Sequence, residues 1–217
     1  MRSWDDLYAD REFHWEGAET AVVGIAEEWR ERGIRLVHDL GCGAGRNMGF
    51  LQGEGFTVIG SDVSPRGLAA CAVQLGRAGL PRTLVQADMT SLPFRDGAFD
   101  ATISINVLNH GSRAVLQAAA DEIHRTLRPG GELLLTVLNT WDWRFGSGEE
   151  PEPNSWMLAD GPEAGILHHF FDEPDLREWL RAFEILRLER ERGLQKRSTA
   201  PGNRPVHRDQ WQVLARK

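Results

Sequence analysis

Short runs rich in branched apolar residues alternate with helical segments along the first two thirds of this chain, and that rhythm restricts its fold more than any other feature. Runs at 34–40, 56–62, 82–88, 99–108 and 131–138 read as strands. Residues 16–32 read as an amphipathic helix ending at Gly33, a residue suited to a helix C-terminus. A second helix covers 47–53. Ser64 with Pro65 opens a third, running to about Gly79, and Ser112 caps a fourth that "RPGG" stops. Parallel strands need crossovers, and right-handed crossovers put helices on both faces of the sheet. The expected fold is therefore α/β: a doubly wound, Rossmann-like, mostly parallel sheet. Near the C-terminus a helix in "DEPDLREWLRAF" precedes "EILRLERE" and "DQWQVLARK", which make an antiparallel hairpin at the sheet edge, joined through Gly202.

Composition bounds the remaining classes. With 217 residues, 41% hydrophobic and 26% charged, the chain suits one globular domain over 1–217. Within it, 1–16 is an N-terminal lid segment and 139–168 a substrate-side insertion rich in Gly, Pro and Trp. A loop of that length is more often functional than idle. No apolar run is long enough for a membrane span, and the N-terminus lacks the apolar stretch of a signal peptide, so a cytoplasmic protein, monomer or homodimer, is expected. Cys42 and Cys71, the only cysteines, are expected as free thiols. A net charge of -7 argues against a broad nucleic-acid surface, the local exception being the basic "RERGLQKR" at 190–197.

The loop "VHDLGCGAGRN", 37–47, follows the first strand, where open α/β sheets bind their ligands. Gly41, Gly43 and Gly45 let the backbone approach a ligand closely, and the helix after them offers free N–H groups. Their spacing departs from the dinucleotide pattern, the third glycine coming one residue early, and the lysine of a P-loop is missing. Asp39, Asp62 and Asp88 end the first three strands on one edge of the sheet. Asp62 comes seventeen residues after Gly45, about where an acceptor for ribose hydroxyls belongs. A ligand with a ribose, an amine and a positive centre suits three carboxylates. A pyrophosphate does not.

At these residues the chain resembles the class I S-adenosylmethionine-dependent methyltransferases, of the small-molecule kind that includes ubiquinone and menaquinone methyltransferases. "VHDLGCGAGR", "GSDVSP", "QADMTSLPF", "FDATISINVLNH" and "LRPGGELLLTV" look like that family's motifs in order, and the resemblance runs from about Gly17 to Lys217. It implies S-adenosylmethionine as cofactor and S-adenosylhomocysteine as product. It also implies that Asp39, Gly41, Cys42, Gly43 and Gly45 hold the amino acid end, with Arg46 reaching the carboxylate. Asp62 would take the ribose, Val63 the adenine ring, and Asp88 with Met89 the adenine edge. Asn106, Val107 and Leu108 would lie along the cofactor near the sulfonium. His38 departs from the family, which prefers an apolar residue there, and puts a polar group under the sheet.

Methyl transfer requires alignment of the nucleophile and exclusion of water, and no metal is expected. A hydroxyl or amine acceptor benefits from a base, for which His110, His168 and His169 are the candidates, His110 being best placed and His169 the second. Tyr8 and Trp15, with Trp4 and His14, belong to the lid. Trp141 and Trp143, with Phe145 and Trp156, are expected to roof the acceptor, and His168 to join that substrate side. The fourth motif lacks the Asn-Pro-Pro-aromatic form used on nucleic-acid and protein nitrogens, and Cys42 lies at the cofactor loop rather than near an acceptor. A small-molecule substrate follows. The alternatives are transfer to RNA such as tRNA, and a non-catalytic module that binds the cofactor.

Overall fold

In the computed structural model, which describes residues 3–8, 17–161, 163–195 and 206–217, ten strands and six helices follow one another. In chain order they are α1 (Trp4–Tyr8), α2 (Thr20–Glu31), β1 (Leu36–Leu40), α3 (Arg46–Gly53), β2 (Thr57–Asp62), α4 (Pro65–Arg77), β3 (Leu84–Gln86) and β4 (Phe99–Ile105). Then come α5 (Arg113–Thr126), β5 (Leu127–Leu138), β6 (Glu149–Glu152), β7 (Ser155–Met157), β8 (Leu167–His169), α6 (Glu173–Trp179), β9 (Glu184–Gln195) and β10 (Val206–Arg216). Seven strands form the main sheet in the order β3-β2-β1-β4-β5-β10-β9, parallel from β3 to β5 and antiparallel beyond. After β3 the chain crosses to the other side of β1, so β1 and β4 flank the switch point at which such sheets leave a crevice.

Local signals account for the elements. Ser64 accepts from the Gly67 N–H at 3.0 Å and Pro65 opens α4; the Ser112 hydroxyl caps α5 and Asp172 caps α6. Residues alternate across the sheet into two cores. Leu133, Leu135 and Val137 face α5 and α6 with Leu116, Ile123 and Trp179. Val37, Ile103 and Leu134 face α2 and α3 with Trp29, Met48 and Leu51. Each fully buried large side chain of this kind contributes about 1.5–3 kcal/mol. His38 is fully buried in the first core, bonded to Ser61 Oγ at 2.8 Å and stacked on Phe99 at 4.8 Å; burial pushes its pKa down to about 3.

Several expected boundaries move. α2 begins at Thr20 and β3 shrinks to three residues. "RPGG" does not merely end a helix: α5 gives way at Leu127 directly to β5, whose pairing with β4 is irregular between Phe99 and Ala101. The insertion is not an irregular loop, because β6, β7 and β8 form a three-stranded antiparallel sheet within it. The C-terminal hairpin is at the sheet edge as expected, with β10 inside and β9 outermost; Gly202 lies outside the described residues. Cys42 and Cys71 are free and buried.

Candidate active site

A cleft of about 470 Å³ opens at the carboxyl edge of the parallel strands. Its first wall is the loop between β1 and α3. The N–H groups of Gly41 and Cys42 donate to Ser61 O at 2.8 and 3.0 Å, tying the loop to the end of β2. Gly43, at φ +51°, is buried beneath Tyr8, whose phenol oxygen packs so closely on its backbone that a Cβ there would collide with it. α1 is thus folded over the glycine loop, fixed by Asp5, which accepts from Ser64 Oγ and Arg66 N, each at 2.9 Å.

Asp62 holds the loop from the other side: Oδ2 accepts from Gly43 N at 2.9 Å and Oδ1 from Ser64 N at 2.8 Å. Burial raises its pKa against the pull of those bonds. Val63, Ala87, Asp88 and Met89 continue the wall. Asp88 folds into a turn, its Oδ1 accepting from Thr90 N and Oγ1 at 2.8 and 2.7 Å. Asp39 stands behind the loop, only 2% exposed, with Oδ2 unpartnered. Burial raises its pKa to about 7, while the Arg46 charge opposes. An orphaned carboxylate oxygen under a glycine cradle fits a ligand bearing an ammonium group, which is how these residues suit the cofactor the sequence implies.

The far end differs in chemistry. Asn106 takes φ +59°, and its Oδ1 accepts from Thr136 Oγ1 at 3.1 Å and from Arg208. Trp4, His110, Val115, Arg144, Glu163 and Arg208 line this end. His110 Nδ1 faces Val107 O at 3.1 Å, which makes Nδ1 the donor and leaves Nε2 to accept from Asn109 Nδ2 at 3.0 Å. Trp4 and His168 pack edge-on against its ring at 4.5 and 4.8 Å. Burial, then the neighbouring His168, lowers the His110 pKa to about 3. Glu163 lies 3.2 Å from His168 Nε2 and 3.4 Å from Arg144 Nη1. Burial would raise its pKa, but His168, Arg144 and His110 together hold it to about 2. Ligand atoms of His110, Glu163 and His168 lie within 4.8 Å of one another, close enough to hold a metal ion; in this structure Arg144 supplies the cation beside Glu163.

The chain's expected site residues therefore divide. Tyr8, Gly41, Cys42, Gly43, Arg46, Asp62, Val63, Asp88, Met89, Asn106, Val107 and His110 are on the cleft wall. Leu108 is not; it is fully buried in the core against α5, because the chain turns inward after Val107. Gly45 starts α3 at φ +87°, where a Cβ would strike Cys71, so it serves helix packing rather than the wall. Trp141 is 54% exposed and carries the Arg190 guanidinium 4.0 Å over its ring, away from the cleft. Trp143 and Trp156 pack within the insertion, against Arg144 and Phe145, so the expected aromatic roof is absent there. His168 is fully buried behind Glu163. His169 points elsewhere, its Nε2 2.7 Å from Asp175 and its Nδ1 2.7 Å from Ser155, which removes it as a base. Trp15 and His14 lie outside the described residues. Arg144, Glu163 and Arg208 are not among the expected residues, and no sequence signal marks them: Arg208 is the third residue of β10, flanked by His207 and Asp209.

The profile of the family described as "Methyltransferase domain" matches residues 37–131. Residues 37–131 form a class I S-adenosylmethionine-dependent methyltransferase domain. An uncharacterized methyltransferase of Synechocystis sp. is 36% identical over 122 residues, 56% of this chain and 50% of that protein. A demethylmenaquinone methyltransferase of Thermus thermophilus is 35% identical over 123 residues, 52% of this chain and 54% of that protein. Other relatives are named as tRNA methyltransferases. The chain spans about half the length, or less, of the curated relatives it matches first. A solved S-adenosylmethionine-dependent methyltransferase of Methanosarcina mazei superposes with a TM-score of 0.67 at 21% identity, over 84% of this chain and 92% of that one, which shows the shared fold. Among the described residues no helix is long and apolar enough to cross a membrane.

Proposed function

We propose that this chain methylates an oxygen, nitrogen or chalcogen atom of a small molecule. The observation that carries the reading is a single cleft that joins the glycine-loop wall to a half-enclosed end lined by Trp4, His110 and Glu163. Its volume of about 470 Å³ suits a cofactor and a small acceptor. When bound, S-adenosylmethionine supplies an electrophilic methyl group on a positively charged sulfur. Asp39 would face its ammonium group, Arg46 its carboxylate and Asp62 its ribose hydroxyls, while Val63 and Met89 would flank the adenine. Val107 and Asn106 would border the reacting end.

His110 is the base in this reading. Neutral imidazole is its resting form, since burial disfavours the cation. An acceptor's hydroxyl or amine would displace the Asn109 amide from Nε2 and pass its proton there. The Glu163 carboxylate would partly offset the burial, His168 and Arg144 that disfavour the imidazolium as it forms. Trp4, packed on the same ring, excludes water from the reacting end.

The test is calorimetric titration with S-adenosylhomocysteine, with NADH as control, followed by an acceptor screen that measures S-adenosylhomocysteine release. Micromolar binding of the first ligand alone is expected, and NADH binding in its place would overturn the reading. With an acceptor in hand, His110→Ala should lower turnover about 100-fold or more while cofactor affinity stays unchanged. A fully active variant would show that the proton goes elsewhere. The RNA reading is favoured by relatives named for tRNA; RNA binding that weakens steeply with salt would support it. Cofactor binding without turnover on any acceptor would support the non-catalytic one.

A further inference from the structure

Three arginines, Arg46, Arg144 and Arg208, stand on the cleft wall. Two are neutralised within the protein. Arg46 pairs with Glu19 at 2.9 Å, and Arg144 pairs with Asp142 at 2.8 Å and Glu163 at 3.4 Å. Arg208 differs: among the described residues its one hydrogen-bond partner is the neutral Oδ1 of Asn106, and no carboxylate pairs with it. Its neighbour Asp209 faces the other side of β10, where it pairs with Arg190 at 2.6 Å and accepts from Asn139 Nδ2. A guanidinium presents five N–H donors in a planar fork, and Arg208 uses few of them on the protein.

Its position is a product of topology. β10 runs antiparallel to β5, with Gln210 opposite Leu138, so the beginning of β10 arrives at the carboxyl edge of the parallel strands. Arg208 is thereby brought beside Asn106 and Leu138, both on the cleft wall. The methyl donor brings a positive sulfur to this same end. Glu19 and Asp142 act on Arg208 without forming an ion pair with it, so a sulfonium brought beside this guanidinium is repelled at short range unless an anion lies between them. In the reading above the donor's own carboxylate would lie against the first turn of α3, with Arg46 shared between it and Glu19.

We infer that Arg208 receives an oxyanionic group, a carboxylate or a phosphate, of the methyl acceptor, so that the substrate is an acidic small molecule. This rests on the methyltransferase reading above. The fork of Arg208 would take two oxygens of the anion, fixing the acceptor's orientation with its nucleophile toward His110. Trp4, Val115 and Leu138 supply apolar wall for the rest of the molecule.

The experiment titrates the chain, saturated with S-adenosylhomocysteine, with benzoate and separately with inorganic phosphate, comparing the wild type with Arg208→Met and Arg208→Lys. Saturable binding of at least one anion to the wild type is expected, weakened about tenfold or more by Arg208→Met and partly restored by Arg208→Lys. Benzoate alone binding would mark the carboxylate, and phosphate alone the phosphate ester. S-adenosylhomocysteine affinity should be the same in all three proteins. No anion binding to the wild type, or equal binding to the Met variant, would overturn the inference. A loss of S-adenosylhomocysteine affinity in Arg208→Met would also overturn it, by giving Arg208 to the cofactor's carboxylate. Wild-type protein that fails to bind S-adenosylhomocysteine at all would instead remove the reading on which the inference stands.

Discussion

Asp39, buried behind the glycine loop, is expected to make folding depend on pH, and Asp39→Asn isolates that contribution. The side chain is 2% exposed, with one oxygen unpartnered, and burial raises its pKa from 3.8 to about 7. The folded state therefore holds the Asp39 proton more tightly than the unfolded chain does. The sign follows: this group favours folding below pH 3.8, and that contribution is lost as pH rises toward about 7. At 1.36 kcal/mol per unit, the fall between pH 5 and 7.5 comes to about 2–3 kcal/mol. Asn cannot ionise, and its Oδ1 can still accept from the Met48 N–H that the carboxyl engages. Urea unfolding of both proteins across this range should show the variant gaining on the wild type by that amount as pH rises. Ligand adds a second signature: an ammonium group placed against Asp39 favours the carboxylate, so cofactor binding near pH 6 should release a proton in the wild type and not in the variant. Parallel pH profiles for the two proteins would refute the argument and place Asp39 in contact with solvent.

Asp62→Ala should cost about 1.5–3 kcal/mol in S-adenosylhomocysteine affinity, the range for a hydrogen bond to a charged group, measured by calorimetry on protein whose folding is checked by circular dichroism. Unchanged affinity would take Asp62 out of the ribose site. Gly43→Ala should lower thermal stability and weaken cofactor binding together, because the residue has φ +51° and the new Cβ would meet the Tyr8 phenol; strain of about 1–3 kcal/mol is expected. A variant as stable as the wild type would mean that α1 does not pack on the loop in solution.

The sequence alone determined the sheet and the glycine-loop wall of the cleft, because both are built from local signals. Strand-ending aspartates, the glycine loop and the Ser64-Pro65 start of α4 lie within a few residues of what they organise, and Asp62 and Gly43 meet where their spacing puts them. The place of His110 on the cleft wall was legible for the same reason, a few residues after Ile105 ends β4. Tertiary structure decided the opposite end. The tryptophans of the insertion looked like a roof, yet whether a ring faces a cleft or its own small sheet depends on how β6, β7 and β8 pair, and period alone does not encode that. Adjacent His168 and His169 point to opposite faces of β8, one toward Glu163 and the other toward Asp175, as strand geometry requires once the strand is known. Arg144 and Glu163 come from the insertion and Arg208 from a distant stretch of chain, and only the antiparallel return of β10 along β5 brings Arg208 to the edge where Asn106 follows β4.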